Sequence, residues 1–333
     1  MVVQSKTSER GDERRSPLWL VDWSDSEHED FLWACEAAGV EARVLRGAAL
    51  GTSVGQRLHR LRSWPTYASL ALRGLREADG APLIAWQPIV GALAGLMRRR
   101  GRSRLVVLNP LIDATTPTLR RQIMLRGLAR ADRVLFFSAG ALEDGVGLGL
   151  QRQGLRFIPL GVRTTGTWSP PTGDYFLAVG REERDWATLA KAAEGLDCEV
   201  RVVGPADLPE SGLLKLLPQL ERRQLLELME GARAIVVPLS PAARPAGQLT
   251  VLDGISVGRA VVTMRVPGVE DYINPETGIL VPPGDALALR DALSRLSNPT
   301  LAEQMGRAAL AAAQHAFSLE RFVAEVDGEA RSI

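Results

Sequence analysis

Gly247 to Val262 reads GQLTVLDGISVGRAVV and follows an apolar run, Ala234–Leu239, of strand character. Pro238 and Pro245 mark a short loop between the two. The spacing predicts a strand, a loop, and a buried helix entered at Gly247 and ending near Gly258. A second strand of β-branched residues, Ala260–Met264, follows at once. A helix whose first turn faces the carboxyl end of a parallel sheet offers free N–H groups and the positive end of its dipole, a setting suited to phosphate or diphosphate. Gly247 permits close approach of a ligand to the backbone, and the amides of Gly247–Leu249 are the candidate anion donors. Gln248 and Thr250 add side-chain hydrogen bonds. Asp253, about two turns in, is placed to accept from a pair of ribose hydroxyls. The competing reading is a buried helix with a polar N-terminus and no ligand.

Upstream, strand and helix patterns alternate. Leu18–Asp22 reads as a strand, Trp23–Ser26 as a loop with a helix cap, Glu27–Ala38 as an amphipathic helix stopped by Gly39, and Val40–Leu45 as a strand. A glycine-punctuated loop, Gly47–Gly55, precedes a helix at Tyr67–Ala78. The alternation continues through Pro82–Trp86 (strand), Val90–Arg99 (helix), Arg104–Leu108 (strand), Leu119–Ala131 (helix), Arg133–Ser138 (strand), Ala139–Leu148 (helix) and Arg156–Pro159 (strand). Residues Gly161–Asp174 are crowded with Thr, Ser, Pro and Gly and read as a linker. The rhythm then resumes from Tyr175–Val179 to helices at Leu301–Phe317 and Leu319–Val326, with Leu213–Leu217 among the strands. Strands separated by helices at this spacing mean parallel sheets. The fold class is therefore α/β, with two Rossmann-like domains in tandem. The boundaries expected are 17–163, a linker at 164–173, 174–318, and a closing helix at 319–333 that is a candidate for crossing back to the first domain. A ligand is expected in the cleft between the facing strand ends.

The 333 residues include 40 basic and 39 acidic side chains, so net charge gives no argument for nucleic acid. A hydrophobic share of 46% supports packed cores. Arg57, Arg60, Arg62, Arg98, Arg99, Arg100, Arg102 and Arg104 make the middle of the first half basic. They read either as a solvated helix face or as a surface leaning on anionic lipid or an acidic acceptor. Cys35 and Cys198, far apart, fit no metal or redox spacing, and the three histidines, His28, His59 and His315, form no metal-binding pair. The first sixteen residues are polar, and the longest apolar run, Leu83–Met97, is broken at Gln87 and Pro88. A cytoplasmic chain is expected, with peripheral contact at the inner membrane face as the variant that the basic surface allows.

Gly180-Arg181-Glu182-Glu183-Arg184 follows a strand directly. Gly180 turns the chain, and Arg181 and Arg184 can clamp a diphosphate bidentately. Surface arginine in a turn is the plainer alternative for either one alone. Gly268-Val269-Glu270 and Glu276-Thr277-Gly278-Ile279-Leu280-Val281-Pro282-Pro283-Gly284-Asp285 come later, after the Asp253–Val262 stretch. Together these segments resemble the donor-binding domain of the retaining, GT-B-fold glycosyltransferases of the group 1 type (family 4), over roughly Asp174 to Phe322. The first domain shows no signature of that family.

The resemblance implies transfer of a sugar, with retention and without a metal or other cofactor, from a nucleoside diphosphate-sugar (UDP among the nucleotides expected) to an acceptor hydroxyl. The acceptor, a glycan, lipid or small molecule, is not specified. Arg181 and Arg184 would stabilise the departing diphosphate; Gly180, Leu217, Gly247, Gln248, Leu249, Thr250 and Asp253 would line the donor site. The sequence departs from the family at Pro245, where the first carboxylate of an E-x7-E pair would fall. It also lacks the active-site histidine of the first domain. Asn109, Asp113 and His28 are the nearest polar candidates there, with Asp113 the one taken as catalytic. These departures keep two alternatives open, a catalytically inactive GT-B partner subunit and a GT-B-fold sugar nucleotide epimerase. A nicotinamide oxidoreductase is weaker, because Gly145, Gly147 and Gly149 follow a helix and not a strand.

Overall fold

The computed structural model describes residues 16–47, 64–99, 103–112, 116–164, 166–205, 208, 212–241 and 245–333. The polar N-terminal residues 1–15, the glycine-punctuated loop beyond Gly47, and Arg57, His59, Arg60, Arg62, Arg100, Arg102 and Asp113 lie outside the described residues. The chain divides into two compact units, one ending at Ile158 and rejoined by Leu319–Ile333, the other Pro159–Ser318.

In the first unit the elements are β1 (Leu18–Val21), α1 (Asp25–Ala38), β2 (Arg43–Arg46), α2 (Trp64–Glu77), β3 (Leu83–Ala85), α3 (Pro88–Met97), β4 (Leu105–Leu108), α4 (Thr118–Leu128), β5 (Arg133–Phe136), α5 (Ala139–Gly147) and β6 (Leu155–Phe157). The strands form one parallel sheet in the order β2-β1-β3-β4-β5-β6. The second unit holds β7 (Tyr175–Val179), α6 (Trp186–Ala193), β8 (Glu199–Val203), β9 (Leu214–Leu217), α7 (Arg222–Gly231), β10 (Ala234–Val237), α8 (Gln248–Ser256), β11 (Ala260–Met264), β12 (Gly278–Val281), α9 (Ala286–Leu296) and α10 (Pro299–His315). Its parallel sheet runs β12-β11-β10-β7-β8-β9. The last helix, α11 (Leu319–Arg331), belongs to the first unit.

The central strands are buried end to end, as in β1, β4, β7, β10 and β11. Strands covered on both faces carry continuous apolar runs in place of alternation. Helix starts follow local chemistry. Ser24 caps α1 in a capping box with Glu27, whose carboxylate accepts from the Ser24 amide at 2.7 Å. Asp185 and Asp285 cap α6 and α9. Helix α10 begins at Pro299, behind the Asn298 cap and two residues before the expected Leu301, because proline at the first helical position gives up only an amide with no helical partner.

Helix α11 runs past the expected Val326 and through Gly328 to Arg331. An interior glycine costs a helix about 1 kcal/mol, which burial of Phe322, Val323, Val326 and Ala330 offsets. The helix packs on α1, and its Phe322 ring meets Phe137 at 5.5 Å and Trp86 at 6.2 Å between centroids. The interval Gly161–Asp174, expected as a linker, lies with the second unit. There Val162 donates its amide to Phe317 O at 2.8 Å. The Trp168 indole donates to Gly258 O at 3.1 Å, and the Arg307 guanidinium stacks 3.6 Å from its ring centroid.

Each sheet reverses its direction of winding once. In the first unit β1 lies between β2 and β3; in the second β7 lies between β8 and β10. The loops that leave such a strand and its neighbour part to opposite faces of the sheet, opening a crevice at the carboxyl ends. The two switch points are therefore β1/β3 and β7/β10.

Candidate functional site

The segments singled out in the second half of the sequence meet at the β7/β10 switch point. The loop after β7 carries Gly180 to Asp185, and the chain leaving β10 enters α8 at Gly247. An antiparallel bridge between Arg184 and Leu239 ties the two together. Asp185 N donates to Pro238 O at 2.8 Å, and Ser240 N to Glu183 O at 3.0 Å. Arg184 is thus placed by main-chain pairing on either side of it.

Its guanidinium is fixed at three points. Nε donates to Val179 O at 3.0 Å, Nη1 to Glu182 O at 2.7 Å, and Nη2 to Thr250 Oγ1 in the first turn of α8 at 3.1 Å. Burial pushes the Arg184 pKa down to about 10, with the Glu182 charge acting the other way; the group stays cationic at neutral pH. The guanidinium lies against Gly180, whose φ is +142°. A Cβ at that position would stand 2.0 Å from Arg184 Nε and 2.2 Å from Cζ, so only glycine leaves room for the arginine.

Helix α8 is entered from its N-cap residue Gly247, which has φ +88° and gives no side-chain cap. The first amides of a helix have no intrahelical acceptor, and this end carries the positive end of the dipole. The Gln248 amide nitrogen is buried without a hydrogen-bond partner among the described residues, one further donor at the same end. Leu249 is 67% exposed.

The other candidates divide. Arg181 is exposed and turns to Gln219 Oε1, at 3.0 Å from Nη2. Leu217 ends β9, the edge strand two places from β7, and is removed from the switch point. Asp253 is 8% exposed and is held by Arg222, with Nη1–Oδ2 at 3.2 Å and Nη2–Oδ1 at 2.9 Å. Burial raises the Asp253 pKa above the usual carboxylate range, while the Arg222 hydrogen bonds and charge pull it back down. In the first unit Asn109 follows β4 with φ +41° and donates its amide to Leu135 O at 2.6 Å, and His28 is a buried residue of α1. Asp113 is outside the described residues. At the β1/β3 switch point Gln87 donates to the Asp22 carboxylate at 2.8 Å beside Trp86.

The sequence reading missed Arg222 and Gln219. Both follow β9, on the carboxyl side of the sheet. That placement is the one signal that could have marked them, since their partners, Asp253 and Arg181, lie 31 and 38 residues away.

Two parallel six-stranded units, each with its switch point and the second with an open helix N-terminus there, define a two-domain α/β architecture of the GT-B kind. Residues 173–298 match the family model described as Glycosyl transferases group 1. The match lies within the second unit and covers less than half of the chain. A curated relative, D-rhamnosyltransferase WbpZ of Pseudomonas aeruginosa, is 28% identical over 226 residues, 60% of this chain and 59% of that protein. The aligned region thus spans less than two thirds of the relative. Among solved structures, sucrose-phosphate synthase from Thermosynechococcus elongatus superposes with a TM-score of 0.73 at 19% identity, over 96% of this chain and 99% of that one. HepE from Anabaena, solved in complex with UDP and glucose, superposes with a TM-score of 0.68 at 15% identity, over 96% and 100%. At these identities the two structures speak for the fold alone.

Proposed function

We propose that this chain transfers a glycosyl group from a nucleoside diphosphate-sugar to an acceptor hydroxyl, with retention and without a metal. The observation that carries the reading is the convergence of Arg184 and the uncapped N-terminus of α8 at the β7/β10 switch point. Breaking the bond between C1 and the diphosphate oxygen loads negative charge on the leaving group. A fixed guanidinium and oriented amides stabilise that charge without reorganising during the reaction. The acceptor oxygen bonds to C1 on the face the diphosphate leaves, and its proton passes to a diphosphate oxygen. Arg181 joins the clamp by leaving Gln219, an exchange of one surface hydrogen bond for a charged partner.

The family match and the rhamnosyltransferase relative support glycosyl transfer. UDP is the first nucleotide to test, because the HepE structures hold UDP and UDP-glucose. We assign the acceptor to the first unit, where Asp22, Trp86 and Gln87 gather at the β1/β3 switch point. Among the described residues no helix is long and apolar enough to cross a membrane. The proposed setting is the cytoplasm, with contact to the inner membrane face through the first unit. There Arg76 and Arg99 share a groove with Leu72 and Met97, each 40% exposed.

The test is Arg184→Ala with UDP-sugars and their GDP counterparts as donors. The expected result is a raised donor KM together with a lowered kcat; full activity in the variant would remove the diphosphate assignment. Pro245, standing where the family resemblance places a carboxylate, favours a second reading, a partner subunit that has lost the chemistry. Calorimetry separates the two, since the partner subunit binds no nucleoside diphosphate.

A further inference from the structure

We propose that the free edge of β12 is a self-association surface: a second copy of this chain adds its own β12 antiparallel to it, and the six-stranded sheets of the two second units join into one. The inference is independent of the donor-site reading, because β12 lies two places from β10 and the switch point beside it.

Among the described residues β12 pairs only with β11. Val261 N donates to Thr277 O at 3.3 Å and Arg265 N to Val281 O at 2.7 Å, so the odd-numbered residues turn their main chain inward. Gly278 and Leu280 therefore turn theirs to the free edge. There Gly278 N donates to Asn274 O at 3.1 Å, which leaves Gly278 O and both main-chain groups of Leu280 for a partner. A groove of about 490 Å³ follows this edge, and Arg265, Glu270, Arg295, Ile279 and Leu280 line it. Ile279 and Leu280 are successive strand residues and point to opposite faces of the sheet. A groove that touches both wraps the edge itself, where an added strand lies.

Charge selects the partner. Arg265 and Arg295 stand with Glu270 and Glu276, all four exposed and none in an ion pair among the described residues. Two charges of each sign let two copies meet without net repulsion, whereas a strongly acidic or basic segment would leave one sign unmatched. With Leu280 facing the second copy's Gly278, each Leu280 amide reaches a Gly278 O, two bonds related by a two-fold axis at Ile279. In that register Glu276 falls opposite the second copy's Pro282. Arg265 is level with Pro282, one step beyond the Met264–Val281 pair. Arg265 and the second copy's Glu276 are then two strand spacings apart, about 10 Å between main chains, a gap that an extended arginine and glutamate close. The symmetry makes this ion pair twice. A four-residue strand gives a small interface, so the association is weak, with Kd about 1–100 µM.

The experiment is analytical ultracentrifugation of the full chain as wild type, Arg265→Glu, Glu276→Arg and Leu280→Pro. The wild type should form a dimer that dissociates on dilution below about 1 µM. Each charge reversal sets like charges against one another at both ends of the pairing and should weaken the dimer by about tenfold or more. Mixing the two reversed variants should restore a heterodimer, because each copy then offers the charge that the other lacks. The double substitution in one chain should restore a homodimer. Leu280→Pro removes the outward amide, a change that an edge strand tolerates, and should leave a monomer. The charge reversals fall on exposed side chains, so they settle the matter if the proline variant fails to fold. A wild type that is monomeric at about 0.1 mM would make these charges guards of the edge and overturn the inference. Single reversals that dimerise as the wild type does, or a mixture of the two that stays monomeric, would overturn it as well.

Discussion

Replacing Gly180 by alanine tests the proposed clamp without altering a charged residue. At φ +142° the added Cβ is strained, and it would fall 2.0–2.2 Å from the Nε, Cζ and Nη2 atoms of Arg184. The arginine must leave, giving up its bonds to Val179 O, Glu182 O and Thr250 Oγ1. The backbone strain costs about 1–2 kcal/mol. The three bonds are worth about 1 kcal/mol each, partly recovered when the freed guanidinium meets water. A total near 2–3 kcal/mol corresponds to a fall of about 5–10 °C in melting temperature for a unit of this size.

The effect on binding is the sharper readout. Loss of a preset guanidinium from the diphosphate should weaken UDP by about 1.5–3 kcal/mol, or roughly tenfold to a hundredfold in Kd. Uridine, which lacks the diphosphate, should change by less than about twofold. Calorimetry with UDP and uridine, at a temperature where the variant is folded, measures both. If Gly180→Ala bound UDP as tightly as the wild type, Arg184 would not be reading the diphosphate. Equal losses for UDP and uridine would point to a general disturbance of the fold.

Other consequences follow from buried side chains. Phe322→Ala should destabilise the first unit by about 3–5 kcal/mol, because a ring 3% exposed and packed edge-to-face against Phe137 and Trp86 leaves a cavity; denaturant titration followed by tryptophan fluorescence measures it. Cys35 and Cys198, whose thiols burial pushes up to about 12 and about 11, should resist alkylation at pH 8 in the native chain and react once it is unfolded. Rapid native labelling would contradict their packing. If the groove of Arg76, Arg99, Leu72 and Met97 meets a membrane, the chain should sediment with vesicles rich in anionic lipid at low salt. Replacing both arginines by glutamine should abolish that, and equal binding to neutral vesicles would refute it.

Much of the architecture was legible in the chain because it is encoded at short range. The caps Ser24, Asp185, Asp285 and Asn298 act on amides two or three residues away. The uninterrupted apolar runs announce buried parallel strands by composition. Gly180 is legible as a turn directly after a strand, and Gly247 as the entry to a helix. Helix α11 shows the limit of local signals. Gly328 reads as an end, and only burial of Val326 and Ala330 carries the helix past it.

What tertiary structure alone decided is which distant groups meet. The order of strands puts the loop after β7 beside the loop after β10, and so brings Arg184 to Thr250 across 66 residues. It pairs Asp253 with Arg222, a partner the sequence did not name, and it sends Arg181 to Gln219 instead of to the helix. Caps and periodicity report the conformation of a few neighbouring residues. A hydrogen bond between segments depends on the register and order of a whole sheet, which no single stretch of this chain specifies.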